Sequence, residues 1–388
     1  MVMVEEKPAL VYIRDDIAEI ILLVATNKGA FFYYSDPERR HWDVSGPHFL
    51  GSIVNHVVID PRDNKTILAS VKPYSSDATI YRSTDFGKNW TVANQPPKFI
   101  DTESRKQVVS ISFISPGHAK EKHVWYAGTS PAGLFRSIDR GNSWEIVEGF
   151  NNNKLYLEWT KIISDRNHDL PELHSIIIDP TNKNQLYIAI SLVGIFESTD
   201  YGKSWSALNK GLPKSNDNEM DYRYDTHSIA LHPTKPNKLF QQNKLGIYKI
   251  ERPENKWINI GKNMPQEIGS SGYTIQIHPD DPNTIWVFPI ESTNTWVKVC
   301  PDGMPALYCS KDGGSSWFRQ DIGLPMRNAW FYVSKNSLCT DCMSEVGLYF
   351  GTNTGSLWMS NNEGNSWRQI AVHLPKVLAI ESGKIFKK

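Results

Sequence analysis

The sequence predicts an all-β protein, a seven-bladed β-propeller with four-stranded antiparallel blades, on three observations. One pattern, Ser-x-Asp-x-Gly-x-x-Trp, occurs at 83–90, 137–144, 198–205 and 310–317, and again at 360–367 with Asn362 replacing the Asp. Two decayed copies, SDPERRHW at 35–42 and IERPENKW at 250–257, fill the gaps. The tryptophans therefore fall at Trp42, Trp90, Trp144, Trp205, Trp257, Trp317 and Trp367, spaced 48 to 61 residues apart. Third, short apolar runs recur at fixed places around each copy. A period of this length with several short strands per unit is the signature of a propeller.

Each blade reads in order. An inner strand closes on a turn in HVVIDP (56–61), HSIIIDP (174–180), HSIALHP (227–233) and TIQIHP (274–279). A second apolar strand follows, as in HVWYAG (123–128) and QLYIAI (185–190), then a third, as in GIFES (194–198). The eight-residue pattern then makes a hairpin turn. Asp85, Asp139, Asp200, Asp312 and Asn362 are structural there, because short polar side chains bond the turn's own backbone. The Gly supplies φ > 0, and the Trp opens the outermost strand with its ring buried beneath the turn. The first blade lacks an inner strand. KVLAIES (376–382), beyond the last Trp strand, is expected to pair beside 20–25 and close the ring, which removes two open sheet edges.

Bulk properties narrow the function classes. Lys+Arg and Asp+Glu both number 42, so the formal charge is zero and no basic excess suggests nucleic-acid binding. The apolar run at 20–25 is too short to span a bilayer, and the first residues carry too many charges for a signal peptide. A cytoplasmic protein is the expectation. Four cysteines in 388 residues suggest no disulfide framework, and the Cys339–Cys342 pair is expected to be reduced.

The repeated motif resembles that of BNR/Asp-box propellers, a group that includes sialidases, sortilin-type receptors, xyloglucan hydrolases and photosystem II assembly factors. GPHFLG (46–51), the inner-strand histidines and LYFGTNTGSLWMS (348–360) are similar to bacterial and archaeal proteins labelled BNR-repeat glycosyl hydrolases or exo-sialidases. The resemblance implies the fold over nearly the whole chain; the repeat is scaffold and does not carry chemistry. The Arg-Ile-Pro signature of sialidases is absent.

A site is expected on the face opposite the box turns, where the long segments 91–107, 145–173 and 206–226 lie. Carboxylates and aromatics alternate there. Glu158, Asp165, Asp221 and Asp225 are the catalytic candidates, with Trp159, Arg223 and Tyr224 as ligand contacts. Rings stack on sugar faces while acids bond hydroxyls. A second constellation is His174 and His227, which start adjacent inner strands, with His56 and His48 nearby. These are expected to line one polar pocket at the axial mouth, joined by Asp225 or Gln242. His56, His174 and His227 are also candidate ligands for a transition metal. Gln241 and Gln242 break an otherwise apolar second strand and point the same way. No cofactor is otherwise expected.

The leading functional expectation is a propeller that binds a small polar, carbohydrate-like ligand or a protein partner through this face. A glycoside hydrolase using the same carboxylates is the alternative, and an assembly factor or scaffold is a third.

Overall fold

Runs rich in Val, Ile and aromatic residues become short strands because such side chains fit a pleated, half-buried surface. The computed structural model describes residues 17–99, 107–166, 170–213, 224–291 and 297–387, with backbone alone for 162–166. Five sheets have four antiparallel strands each. In one of them Ile53–Ile59 is followed outward by Ile67–Lys72, Thr79–Ser83 and Thr91–Val92. The other four begin with Ser110–Pro116, Leu173–Ile178, Thr226–His232 and Gly272–Ile277.

The remaining strands form one eight-stranded sheet. On one side lie Trp42–His48, Gly29–Ser35, Ile17–Thr26 and Val377–Phe386. On the other lie Val333–Thr340, Leu348–Thr352, Leu357–Ser360 and Arg368–Ala371. A single parallel bridge, Asn336 to Ala379, joins the halves. Val377–Phe386 pairs antiparallel with Ile17–Thr26, setting Ile380 opposite Val24 and Ser382 opposite Leu22. The molecule is a β-propeller. Its first strands pack on one another in succession, with Val377–Phe386 touching both Ile53–Ile59 and Val333–Thr340.

The core lies between neighbouring sheets. Second strands such as Leu186–Ile190, Ile285–Pro289 and Leu348–Thr352 are buried at every residue. The turn motifs fasten the outer rim. In each regular box the Ser hydroxyl donates to the Asp carboxylate and accepts the Gly N–H, as at Ser198, Asp200 and Gly202, both at 2.8 Å. The carboxylate then accepts the N–H four residues on, Ser204 to Asp200 at 2.9 Å. The chain takes two consecutive left-handed residues here, Tyr201 at φ 64° and Gly202 at φ 82°. At the second of these a side chain would also strike the adjoining sheet: a Cβ on Gly314 would lie 2.5 Å from Ile260. Trp144, Trp205, Trp257, Trp317 and Trp367 are buried as expected, whereas Trp42 and Trp90 are half-buried.

The decayed box at 35–42 has a different job. Arg39 is buried and donates to Asp341 at 3.0 Å and to the Glu345 carbonyl. Asp341 also accepts the Tyr349 hydroxyl at 2.7 Å and the Met343 and Gly347 N–H groups. Arg368 donates to the Arg39 and Arg40 carbonyls. This network ties the turn to the sheet that holds Val333–Thr340, satisfying a charge that would be costly if left unpaired.

Segment 145–173 is not the irregular loop expected. It contains helices Glu148–Asn151 and Lys154–Arg166. Tyr156 and Trp159, three residues apart, share the buried face and so act as packing anchors. Trp159 lies 5.9 Å from Phe196 and 6.1 Å from Tyr224, ring centre to ring centre.

Two tests follow from these contacts. Removing residues 376–388 strips the partner from Ile17–Thr26 and exposes Val377, Ala379 and Ile380 contacts worth about 1.5–3 kcal/mol for each large side chain. The truncated protein should melt well below the full chain or fail to fold, read by circular dichroism. The box carboxylates carry a pH signature. Asn89 and Ser83 bonds hold Asp85 down at about 2, and the Ser204 and Ser316 donors hold Asp200 and Asp312 at about 2. Unfolded carboxylates titrate near ~3.9, so this contribution is complete above that value and is lost as pH falls towards 2. Asn362 makes the same turn without titrating, at 2.8 Å from Ser360 and 2.9 Å from the Ser366 N–H. Asp200→Asn with Asp312→Asn should therefore flatten the loss of stability in acid; an unchanged slope would remove the boxes as its cause.

Candidate functional site

The first strands share an irregularity at one end. Register shifts fall between Val54 and His56, Ile111 and Phe113, Leu173 and Ser175, Thr226 and Ser228, and Gly272 and Ile275. The Val377–Phe386 strand shifts at the matching place, between Val377 and Ala379. The largest departure is in Val333–Thr340, where Val333 faces Thr352 but Leu338 faces Phe350. A bulge leaves one residue outside the ladder and re-aims its side chain. Asn55, Ser112, His174, Tyr273, Ser334, Lys335, Asn336 and Leu378 are turned this way, and all of them line one axial cavity of about 300 Å³. Glu172, Lys298, Tyr332 and Lys376 complete its wall.

A second cavity of about 260 Å³ lies below. Phe113, Ser175, Ser228, Gln276, Cys339 and Glu381 are among its lining residues. Lys335 and Asn336 border both cavities, so the bulged segment of the Val333–Thr340 strand forms the waist between them.

Two carboxylates stand at equivalent positions before adjacent strands, Glu172 in the wall of the upper cavity and Asp225 behind it. Glu172 receives the Lys335 ammonium at 3.3 Å. Asp225 lies 3.3 Å from His227 Nε2, while His227 Nδ1 faces the Gly272 carbonyl at 2.7 Å. Burial works to raise the Asp225 carboxyl, but His227, Lys335 and Lys244 together hold it well below the usual carboxylate range. Asp225 is thus ionised at any physiological pH. His174 donates from Nε2 to the Thr226 carbonyl at 2.9 Å and accepts from Ser175 at Nδ1. Burial, then the positive charge of Lys335, pushes its imidazole well below the ordinary range, so it stays neutral. Burial raises the Tyr273 hydroxyl, leaving it a neutral donor. Tyr273 packs on His227 at 4.6 Å and on Tyr332 at 5.6 Å.

The expected site residues part company in this geometry. His174 lines the upper cavity, and His227 stands behind it with Asp225. His56 is deep and fully buried, its Nε2 3.2 Å from Glu381, its Nδ1 accepting the Ile114 N–H. His48 is not at the mouth: it stacks on Phe32 at 4.4 Å and packs under the first regular box, near Gly87. Gln242 is buried and donates to the Asn243, Gly246 and Ser270 carbonyls, while Gln241 accepts the Thr226 hydroxyl. Gln242 finishes backbone hydrogen bonding, Gln241 bonds a side-chain hydroxyl, and neither lines the cavity. Glu158 is exposed on its helix and also lies outside the lining. Trp159 and Tyr224 pack in the core between sheets. Asp221 and Arg223 lie outside the described residues, as does the side chain of Asp165.

The metal reading is corrected by the same contacts. The nitrogens of His56, His174 and His227 point to separate partners, and no group of three or more His, Cys, Asp or Glu side chains among the described residues is placed to hold an ion. None of the four cysteines is in a disulfide; Cys339 is buried and Cys342 exposed. Among the described residues no helix is long and apolar enough to cross a membrane.

Comparison with known proteins gives the repeat its identity and shows the likeness of the whole chain. The BNR-Asp box repeat model matches residues 80–92. A xyloglucanase of Paenibacillus sp is 24% identical over 342 residues, covering 81% of this chain and 30% of its own length. A xyloglucanase of Acetivibrio thermocellus is 25% identical over 344 residues, covering 81% of this chain and 37% of its own. The crystal structure of a GH74 xyloglucanase from Xanthomonas campestris superposes with a TM-score of 0.64 at 16% identity, over 91% of this chain and 52% of that one. The chain thus spans well under half the length of these two curated relatives.

Because each imidazole already has its own partner, zinc added to chelator-treated protein should leave the melting temperature unchanged. A bound ion would stabilise the fold by mass action and raise it.

Proposed function

We propose that this chain is a carbohydrate-active propeller of the glycoside-hydrolase type, taking its sugar at the axial mouth. The observation that carries the reading is the pair Glu172 and Asp225, set at equivalent points just before neighbouring strands, with the Lys335 ammonium acting on both. Glycoside hydrolysis needs two carboxyl groups about the scissile bond, one ionised and one to protonate the leaving oxygen. Asp225, kept ionised, suits the base or nucleophile. Glu172, ion-paired with Lys335, is the second carboxyl of the pair. The similarity to xyloglucanases supports this reading over the simple binder, and makes xyloglucan-type β-glucans the first substrates to try.

The same proposal includes the architecture that presents the site. Separating the eight-stranded sheet at the Asn336–Ala379 bridge leaves seven units of four strands. The unbroken succession of contacts between first strands supports a closed seven-bladed ring around the two cavities.

Purified protein should release reducing ends from xyloglucan or its oligosaccharides. Asp225→Asn and Glu172→Gln should each lower that rate by at least about 100-fold, the usual scale for acid–base groups, with sugar binding retained. Turnover that survives both substitutions would remove the pair, and absence of both turnover and glycan binding would remove the function.

A further inference from the structure

We infer that the upper axial cavity selects a sugar bearing a carboxylate, a uronate, over its neutral parent. The inference rests on the carbohydrate reading above and narrows it. Three lysines, Lys298, Lys335 and Lys376, line the cavity against one carboxylate, Glu172. Lys335 is engaged by Glu172 at 3.3 Å. Lys298 and Lys376 have no carboxylate partner among the described residues. Each instead sits by an aromatic face: the Lys298 ammonium is 5.9 Å from the Tyr273 ring centre, and that of Lys376 is 5.8 Å from Tyr332.

The arrangement is a pair of tyrosines, 5.6 Å apart, with an ammonium beside each that has no carboxylate partner among the described residues. Aromatic faces accept the C–H face of a sugar ring, and an ammonium bonds a carboxylate better than a hydroxyl. Asn55, Asn336 and Ser112 add hydrogen-bonding groups for ring hydroxyls. The size is also selective. About 300 Å³ is the lower end of ligand cavities, which run to about 1,000 Å³, so the cavity takes one sugar unit rather than a threaded chain. Asp225 stands behind the wall against His227 at 3.3 Å and is not among the lining residues. The Lys298 and Lys376 side chains are exposed, so a ligand reaches them without opening the fold.

Titration calorimetry on the full chain tests this with glucuronate, galacturonate, their neutral parent sugars and inorganic phosphate. A charged hydrogen bond contributes about 1.5–3 kcal/mol, so a uronate should bind at least about tenfold more tightly than its parent. The preference should shrink as salt is raised. Lys298→Met with Lys376→Met should abolish it, with melting unchanged because both side chains are exposed. Equal affinity for uronate and parent sugar would overturn the inference and leave the carbohydrate reading standing. Phosphate binding as tightly as uronate, with no neutral sugar bound, would overturn it in favour of a plain anion site. Xyloglucan oligosaccharides bound or cleaved while uronates are ignored would likewise sink this inference alone; failure of every sugar would sink both.

Discussion

The structure hangs on one antiparallel pairing, that of Val377–Phe386 with Ile17–Thr26. Every other four-stranded sheet is assembled from a contiguous stretch of chain and is local in sequence. This one joins the two ends, so its formation carries the largest loop-closure cost and must come with compensating contacts. They are present on both faces. Leu22, Val24, Val377 and Ile380 are buried together with Cys339 and Tyr349, and Ile21 and Leu23 pack against Val57 and Ile59. The decayed box strengthens the same region from the rim, since Arg39 reaches Asp341 across a separation of 302 positions. A turn that has lost its own Ser–Asp–Gly bonding has become a clamp between two sheets.

The fold was legible because its information is local and repeated. Five good boxes fix where each hairpin turns, and the apolar runs between them fix the strands. Even the terminal pairing could be inferred, from one strand too few at the start and one too many at the end. The site was legible only in part. His174, His227 and Asp225 stand out as polar residues at the start of apolar strands, and the structure does bring them together. Glu172, Lys298 and Lys376 do not stand out, because isolated charges in connecting segments look like any solvated surface, and Lys335 sits in the polar, irregular half of its strand. Nor does a bulge leave a mark in the alternation of one strand; the aligned positions of Asn55, Ser112, His174 and Tyr273 become visible only when the strands are set side by side.

The misplaced residues share a physical cause. Trp159 and Tyr224 look like sugar platforms when the segments holding them are taken as open loops. Helix Lys154–Arg166 instead directs Trp159 inward, where burying a large ring contributes more than exposing it. Gln242 breaks an apolar strand for the sake of backbone carbonyls such as that of Ser270, and Gln241 accepts the Thr226 hydroxyl. Buried polar groups must find partners, and the irregular end of a first strand supplies unusual numbers of them. Polar residues there serve the scaffold as often as the cavity.

The aligned bulges bear on how such a mouth changes over time. A residue inside a ladder contributes to pairing and packing at once, so its replacement disturbs both. Asn55, Ser112, His174 and Leu378 stand outside the regular pairing, while the neighbouring Val54, Ile111, Leu173 and Val377 stay buried and hold register. The rim of the cavity is therefore a row of interchangeable letters mounted on a fixed frame. Those positions can change one at a time, each in a different sheet, without the frame being rebuilt.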